Sequence, residues 1–388
     1  MATIASVTAH RVPPRWIFAE VRTDDGLTGW GEAIVPKRAA AVEGALADLA
    51  RNVVGQDASR IEDLWQRMRR GGFFRDGPVL ATAAAAIEQA LWDIKGRRHG
   101  LAAHEFLGGA VRDTVRVYAW VAGDRPDDVV SQVKARTGQG YSAVKMNATA
   151  ELDLLDRPAK VDAVVARVGA VRDAFGTTVD VALDFHGRVH RAMAKALLRE
   201  LEQFRLLWVE EPVPPGQEDL LPELARVAGG TPLATGERLL TGEGFARLLE
   251  RRAVDIIQPD VCFTGLFGLE KLCRMAETYD VAVAPHCPNG PIALAASLQV
   301  GCCAGNVVIQ EQSLGLHYNR GYAGLPAAEI FDYLRDPDPL TPADGSLRRP
   351  AGPGLGIDVD AEAVRGAASG WELPDPVWRL GDGRLAEW

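Results

Sequence analysis

Three acidic residues recur at a regular interval in the middle of the 388-residue sequence, each at the end of a short apolar run. Asp184 ends VDVALD, Glu210 ends LLWVE and Glu237 ends TPLATGE, at intervals of 26 and 27 residues. Each interval fits one strand and one helix, which predicts three carboxylates at neighbouring strand ends. Carboxylate oxygens suit Mg²⁺, and clustered acids without a cation would repel one another. We therefore predict a Mg²⁺ site; the alternative is that each acid caps the following helix.

Two histidines in the same part of the sequence could transfer protons. His186 follows Asp184 by two residues, and strand alternation directs both side chains to the same side. His286 ends the run VAVAPH, and Asp260 ends the preceding run VDIIQPD. A carboxylate beside an imidazole fixes its tautomer and raises its basicity, whereas an isolated histidine is more often structural. A proton-transfer pair of His286 and Asp260 is therefore predicted.

Eight short apolar runs position these residues and alternate with amphipathic helical patterns. Regular alternation is typical of parallel strands joined by helices, and eight repeats favour a closed barrel whose strand ends meet at one face. Lys145, Asn147 and Glu311 also lie at strand ends. A doubly wound sheet is less consistent with the sequence because no glycine-rich fingerprint follows a first strand. The predicted strands are 115–123, 141–146, 179–185, 206–212, 231–237, 254–260, 281–286 and 306–312.

The segments on either side of the barrel have other patterns. Residues 1–114 contain three predicted strands, with a hairpin turn at Asp25–Gly26, and then three helices at 38–53, 60–70 and 79–98. Residues 326–388 are rich in proline and glycine and lack the barrel pattern. We predict an α/β protein with a TIM-type (β/α)7β catalytic barrel over residues 115–325. An α+β capping domain at the N-terminus would be completed by the C-terminal segment.

Composition limits the partners and the cellular setting. The net charge of −9 argues against binding to nucleic acid or to an anionic membrane, because both need a basic surface. The five cysteines lack the spacing of a metal site, and no signal peptide or membrane-spanning run is evident. A cytoplasmic protein that binds neither nucleic acid nor a membrane is therefore expected.

The motifs KMN, DFHGR, WVEEP, GER, QPD, APHCPNGP and QEQ occur in this order and at these strand ends. Together with WDIKG (92–96), GDRP (123–126) and PGLG (353–356), the set resembles the mandelate racemase subgroup of the enolase superfamily over essentially the whole chain. The resemblance implies a homo-oligomer and an Mg²⁺-dependent enzyme that dehydrates D-galactonate or a close aldonate to a 2-keto-3-deoxy acid. It also implies the metal ligands Asp184, Glu210 and Glu237.

The same resemblance implies a role for each remaining strand-end residue. His286, oriented by Asp260, matches the base that removes the proton α to a carboxylate. His186 matches the acid that protonates the departing hydroxyl. Glu311 matches the group that hydrogen-bonds an enediolate oxygen, for which it must be protonated. Two further residues are expected to bind substrate, Lys145 and Asn147, although a structural ion pair is an equal alternative for the lysine.

Two departures from the family pattern leave other reactions open. Asn147 stands where many racemases of the subgroup have a second lysine base, which disfavours epimerisation. The segment VCFTGLFGLEK after Asp260 is one residue shorter than usual, which leaves the identity of the acid sugar open. Alternatives are dehydration of another aldonate or aldarate, epimerisation, and a non-catalytic sugar-acid-binding barrel. The segments PPRWIF (13–18) and GGFFRDGP (71–78) could contact substrate or belong to the domain core.

Overall fold

The computed structural model describes residues 2–121, 128–316, 319, 332–370 and 377–387. The GDRP motif at 123–126 lies outside the described residues. Within them, a small antiparallel sheet precedes a barrel of parallel strands, and the C-terminal segment contacts both.

The N-terminal domain is an antiparallel sheet covered by helices. Its strands are β1 (Ile4–Val12), β2 (Trp16–Thr23) and β3 (Thr28–Ala33), and Gly26 adopts φ 92° in the hairpin turn between the last two. The predicted strands, turn and helices are confirmed. The helices are α1 (Ala39–Val53), α2 (Ile61–Arg70) and α3 (Pro78–His99).

Helix α3 packs closely on β3 because both surfaces consist of small residues. A Cβ atom on Gly31 would lie 1.8 Å from the carbonyl oxygen of Ala86, and one on Gly29 would lie 2.2 Å from that of Ala90. The alanines of α3 are buried along most of the helix. Any larger residue at Gly29 or Gly31 would therefore push the helix away from the sheet.

Parallel strands form the barrel in the predicted chain order. The first predicted strand, 115–123, extends beyond the described residues, and each of the other seven is shorter than predicted. Each of the first six strands pairs with the next, and the eighth pairs with the first. A parallel bridge between Val283 and Val307 closes the ring. The strands are β4 (Thr114–Val121), β5 (Ala143–Asn147), β6 (Asp180–Asp184), β7 (Trp208–Glu210), β8 (Leu233–Thr235), β9 (Ile256–Ile257), β10 (Ala282–Val283) and β11 (Gln310–Gln312).

The barrel interior combines large and small side chains. Tyr118 and Trp208 meet edge to face with their ring centroids 5.3 Å apart, and alanines such as Ala182 and Ala234 leave room for them. Helices connect the strands, as the predicted (β/α)7β barrel requires. They are α4 (Val129–Gly138), α5 (Pro158–Phe175), α6 (Arg191–Leu201), α7 (Leu221–Val227), α8 (Gly242–Glu250), α9 (Val261–Thr264), α10 (Leu266–Thr278) and α11 (Pro291–Cys303).

The C-terminal segment packs back on the N-terminal domain, as predicted. The Arg365 guanidinium of α12 (Ala361–Ala367) lies 2.6 Å from Glu20 on β2. Strand β12 (Ser346–Arg348) pairs with the start of β4. The domain boundaries after residues 114 and 325 stay predictions.

A buried glutamate of the N-terminal domain caps the barrel helix α10, which begins six residues after Asp260. Glu88 of α3 accepts hydrogen bonds from the backbone amides of Leu266 (2.8 Å) and Phe267 (3.0 Å), where α10 begins. Gly265, with φ 70°, allows the carboxylate to approach, since a Cβ there would lie 2.7 Å from it. Burial raises the pKa of Glu88 to about 7. The start of α10 is thus packed against the N-terminal domain.

The apolar helix α11 lies entirely inside the molecule. All of its residues are buried, including Cys302 and Cys303. The five cysteines are buried and have free thiols. No helix in the described part of the chain is both long and apolar enough to cross a membrane.

Candidate active site

The strand register brings the predicted site residues to one end of the barrel. Asn147 is the register partner of Asp184, and Asp184 is the register partner of Glu210 on the next strand. Glu237 follows β8 by two residues, and Asp260 forms a parallel bridge with His286. Parallel strands place their carboxyl ends on the same face of a barrel, which explains why residues far apart in sequence meet here.

Lys145 is a fully buried cation between two fully buried carboxylates. Its Nζ lies 2.6 Å from Glu210 Oε1 and 3.1 Å from Glu311 Oε1. Burial lowers the pKa of Lys145, but these two carboxylates outweigh it and raise the value well above the usual range. Lys145 thus forms the structural ion pairs that the sequence analysis gave as an alternative. Its role in substrate binding stays a prediction.

Two neighbours that sequence analysis missed fix the carboxylate of Glu210. The Trp208 indole donates to Glu210 Oε2 at 2.9 Å, and the Gln258 amide donates to the same atom at 2.6 Å. Burial, together with the nearby acids Asp184 and Glu237, raises the pKa of Glu210 to about 8, despite the Lys145 ammonium. Trp208 lies in the WVEEP motif and Gln258 in the QPD motif. The motifs could therefore be recognised in the sequence, but the contact of both residues with Glu210 could not.

Asp184 and His186 lie together because of a tight turn after β6. The strand ends at Asp184, so the predicted strand alternation does not extend to His186. Instead, His186 and Gly187 adopt the left-handed conformation, with φ 59° and 62°. The His186 amide donates to Asp184 Oδ1 at 2.6 Å, and its Nδ1 lies 3.0 Å from Oδ2. Arg238 supports the turn by donating to the carbonyl of His186 at 3.1 Å.

His286 is oriented by Asp260, as predicted, and Asp260 is itself held in place. His286 Nδ1 lies 2.8 Å from Asp260 Oδ2. The Asn289 amide donates to both oxygens of Asp260, at 3.2 and 2.9 Å, and the Cys262 amide donates to Oδ1 at 2.7 Å. Because a carboxylate only accepts hydrogen bonds, this contact places the proton of a neutral His286 on Nδ1 and leaves Nε2 as the base. Asn289, within the motif APHCPNGP, is a further residue that sequence analysis missed.

The Nε2 atom of His286 faces further carboxylates. It lies 3.5 Å from Glu237 Oε2 and 4.0 Å from Glu311 Oε2, and the Cys287 amide donates to the latter atom at 2.9 Å. Burial lowers the pKa of His286, but the surrounding acids Glu237, Glu311 and Asp260 raise it above the usual value. A cation held by Glu237 would counter the largest of these effects and favour the neutral imidazole, which can accept a proton. The side chains of His286 and His186 are 13% and 14% exposed, so both can be reached by a ligand, unlike Lys145.

The acids at these strand ends fit a hard cation by their chemistry and charge. Asp184, Glu210 and Glu237 are not helix caps; the helices that follow them begin after His190, Leu220 and Thr241. Their oxygens suit Mg²⁺, a hard cation that prefers carboxylate ligands. Among the described residues, no three His, Cys, Asp or Glu side chains already form a metal-binding group.

Removal of the buried Lys145 ammonium group should destabilise the barrel. Lys145→Met leaves Glu210 and Glu311 buried without their counter-charge, and breaking a buried ion pair typically costs about 3–5 kcal/mol. Denaturant unfolding at neutral pH measures this loss. Lys195→Met is a matched control, because Lys195 pairs with Glu223 at the surface and should change stability far less. Equal stabilities of the two variants would contradict the assigned ion pairs.

Two family models together match most of the chain. Residues 2–108 match the N-terminal domain of the mandelate racemase / muconate lactonizing enzyme family, and residues 128–364 match the enolase C-terminal domain-like family. These ranges correspond to the small antiparallel domain and to most of the barrel with its C-terminal extension.

Similar proteins cover the chain from end to end. The D-galactonate dehydratase of Ralstonia pickettii is 48% identical over 391 residues, covering 99% of this chain and all of the relative. That of Pectobacterium atrosepticum is 44% identical, with the same coverage. An enolase structure from Agrobacterium radiobacter, with bound sodium and L-malate, has a TM-score of 0.88 and 29% identity, with 99% of each chain covered. The chain thus belongs to the mandelate racemase subgroup of the enolase superfamily.

Proposed function

We propose that the protein is an Mg²⁺-dependent sugar-acid dehydratase that converts D-galactonate, or a close aldonate, to a 2-keto-3-deoxy acid and water. The observation that carries the proposal is a pair of carboxylate-held histidines, His186 and His286, at one barrel end beside three further acids. Full-length similarity to D-galactonate dehydratases supports the choice of substrate.

His286 is the proposed base. A C–H bond next to a carboxylate is very weakly acidic, so its proton must be taken by a group of fixed position and tautomer. The 2.8 Å contact with Asp260 supplies both, and Nε2 of His286 accepts the C2 proton. Lys145 lies within the same cluster of side chains. Its positive charge would help to stabilise the negative charge that develops on the carboxylate of the substrate.

His186 is the proposed acid. After the C2 proton has left, the hydroxyl at C3 departs as water once Nε2 of His186 has delivered a proton to it. The 3.0 Å contact between Nδ1 and Asp184 fixes the ring and directs the proton transfer to Nε2. The resulting enol then tautomerises to the 2-keto-3-deoxy acid.

Asp184, Glu210 and Glu237 are the proposed Mg²⁺ ligands. When bound, the cation would act as a Lewis acid that stabilises negative charge on the substrate carboxylate. Glu311 is proposed to hydrogen-bond a carboxylate oxygen; in the structure it accepts from the Cys287 amide, so its proposed donor role requires protonation. Asn147 is proposed to bind substrate at the end of β5.

An acid-sugar library tests the function directly. Incubation of the protein with Mg²⁺ and individual aldonates and aldarates should give a 2-keto-3-deoxy product from D-galactonate, detected as a new keto acid. Turnover of a different aldonate or aldarate would keep the reaction class and change the substrate. Formation of an epimer without loss of water would indicate an epimerase. No product from any acid sugar of the library would favour a non-catalytic sugar-acid-binding barrel.

Mg²⁺ should stabilise protein that has first been treated with EDTA. A ligand at about 100 times its dissociation constant adds about 2.7 kcal/mol to the stability, which corresponds to an upward shift of a few degrees in Tm. A thermal scan with Na⁺ at equal ionic strength is the control, and Glu237→Gln should weaken the response. Identical midpoints with and without Mg²⁺ would count against the proposed metal site.

A further inference from the structure

The N-terminal domain contacts the barrel loop that carries the proposed base. This loop, residues 286–290, joins β10 to α11 and contains His286 and Asn289. On its N-terminal-domain side lies Glu32 of β3, a fully buried carboxylate. Glu32 Oε1 accepts from the Gly290 amide at 2.6 Å, and Oε2 accepts from the Ala293 amide at 3.0 Å. One side chain thus fixes both the end of the loop and the start of α11.

The approach of Glu32 is possible only because residue 290 is a glycine. A Cβ on Gly290 would lie 2.7 and 2.8 Å from the two oxygens of Glu32 and 2.9 Å from the Trp16 ring. Its own backbone does not require glycine, because φ −88° and ψ −173° are open to any residue. The glycine therefore serves the contact between the two domains.

A short series of hydrogen bonds leads from this contact to the base. Gly290 directly follows Asn289, whose side-chain amide donates to both oxygens of Asp260. Asp260 in turn lies 2.8 Å from His286 Nδ1. Displacement of Gly290 would move Asn289 and so loosen the group that orients the imidazole.

The same loop is held from the N-terminal domain at a second point. The Arg15 guanidinium donates to the carbonyl of Pro288 at 2.5 Å. The Trp16 indole donates to Asn319 Oδ1 at 3.1 Å, and the Asn319 amide donates to the Asn289 carbonyl at 3.0 Å. The buried aromatics of residues 16–18 thus belong to the domain core, while Trp16 also reaches the site loop.

We infer that the N-terminal domain positions the catalytic base, and that Glu32 is the positioning residue which does so through Gly290, Asn289 and Asp260. The inference rests on the proposed role of His286. It gives the N-terminal domain a part in the proton-transfer step itself, in addition to covering the barrel. Glu32 touches neither substrate nor the reacting atoms; it acts by holding the loop.

Glu88 offers a matched control for the test. Like Glu32, it is a buried glutamate of the N-terminal domain that accepts two backbone amides at the start of a barrel helix. Its helix, α10, carries no proposed site residue. In Glu32→Gln and in Glu88→Gln, an NH₂ group replaces one of the two carboxylate oxygens that accept backbone amides. Both variants should therefore show a similar fall in Tm. Only Glu32→Gln is expected to lower kcat, by about 10- to 100-fold, with KM within about threefold of wild type.

A second variant and a second readout make the test independent of turnover. Gly290→Ala should reproduce the kcat loss of Glu32→Gln, because the added Cβ pushes the Glu32 carboxylate away from the loop. This variant tests the inference even if Glu32→Gln does not fold. In ¹⁵N-histidine-labelled protein, both variants should change the ring-nitrogen shifts of His286, whereas Glu88→Gln should leave them as in wild type. Unchanged His286 shifts together with wild-type kcat in both variants would overturn the inference, as would equal kcat losses in Glu32→Gln and Glu88→Gln. If the wild-type protein turns over no acid sugar, the proposed function fails, and the ring shifts alone decide whether Glu32 positions His286.

Discussion

Replacement of His286 by asparagine is expected to stop dehydration, lowering kcat for D-galactonate by at least about a thousandfold, within the range for loss of a general base. Exchange of the C2 proton with deuterated solvent should stop as well, because no group would remain to accept that proton. Asparagine keeps a polar side chain that can still donate to Asp260, whose contact with Nδ1 is 2.8 Å in the wild type. Mass spectrometry of the recovered substrate measures the exchange, and a keto-acid assay measures the turnover.

His190→Asn is the control for this replacement. His190 precedes α6 and takes part in none of the contacts described for the site. The His190→Asn variant should keep both the exchange of the C2 proton and the turnover of D-galactonate. Persistent C2 exchange in His286→Asn would mean that another group is the base, and the proposed role of the His286–Asp260 pair would be wrong.

Replacement of His186 by asparagine is expected to separate the two halves of the reaction. Dehydration should fall by about 10²- to 10⁴-fold because the departing hydroxyl loses its proton donor. Exchange at C2 should continue, because His286 and its contact with Asp260 are unchanged. Asparagine is the suitable replacement because His186 has φ 59°, and asparagine adopts this left-handed conformation more readily than most residues. The turn after β6 should therefore survive the change.

Deuterium incorporation and keto-acid formation, followed in one reaction mixture, decide the outcome. Loss of exchange with continued elimination would reverse the roles of the two histidines. Loss of both would be expected if Asp184, which contacts His186, had moved; circular dichroism and a Mg²⁺ thermal shift of the variant identify that case.

Much of the fold could be predicted because its pattern is local. Each barrel strand is a short apolar run, and the chain order of the runs became the order of the strands in the sheet. The N-terminal helices were predicted to within about one residue. The clearest signals belong to α3, which begins with Pro78 and ends before Gly100 in the left-handed conformation. Strand lengths were overestimated, because apolar residues beyond a strand end, such as Leu206 before β7, pack in the core without pairing.

The supporting contacts of the site could not be predicted because they join distant parts of the chain. Nothing in the local sequence links Gln258 to Glu210 or Glu32 to Gly290; each contact depends on the docking of complete elements. The proximity of Asp184 and His186 was predicted from strand alternation, but a left-handed turn produces it. The DFHG sequence carries a signal for that turn, since Gly187 favours positive φ.

The burial of Lys145 limits the covalent chemistry open to this protein. Lysine side chains react with keto acids to form imines, but only when the amine is uncharged and accessible. Lys145 has no exposed surface, and its two carboxylate partners hold it as an ammonium ion. A 2-keto acid released next to this lysine would therefore meet a cation and not a nucleophile. The proposed reaction would therefore release its carbonyl product beside an amine that cannot trap it.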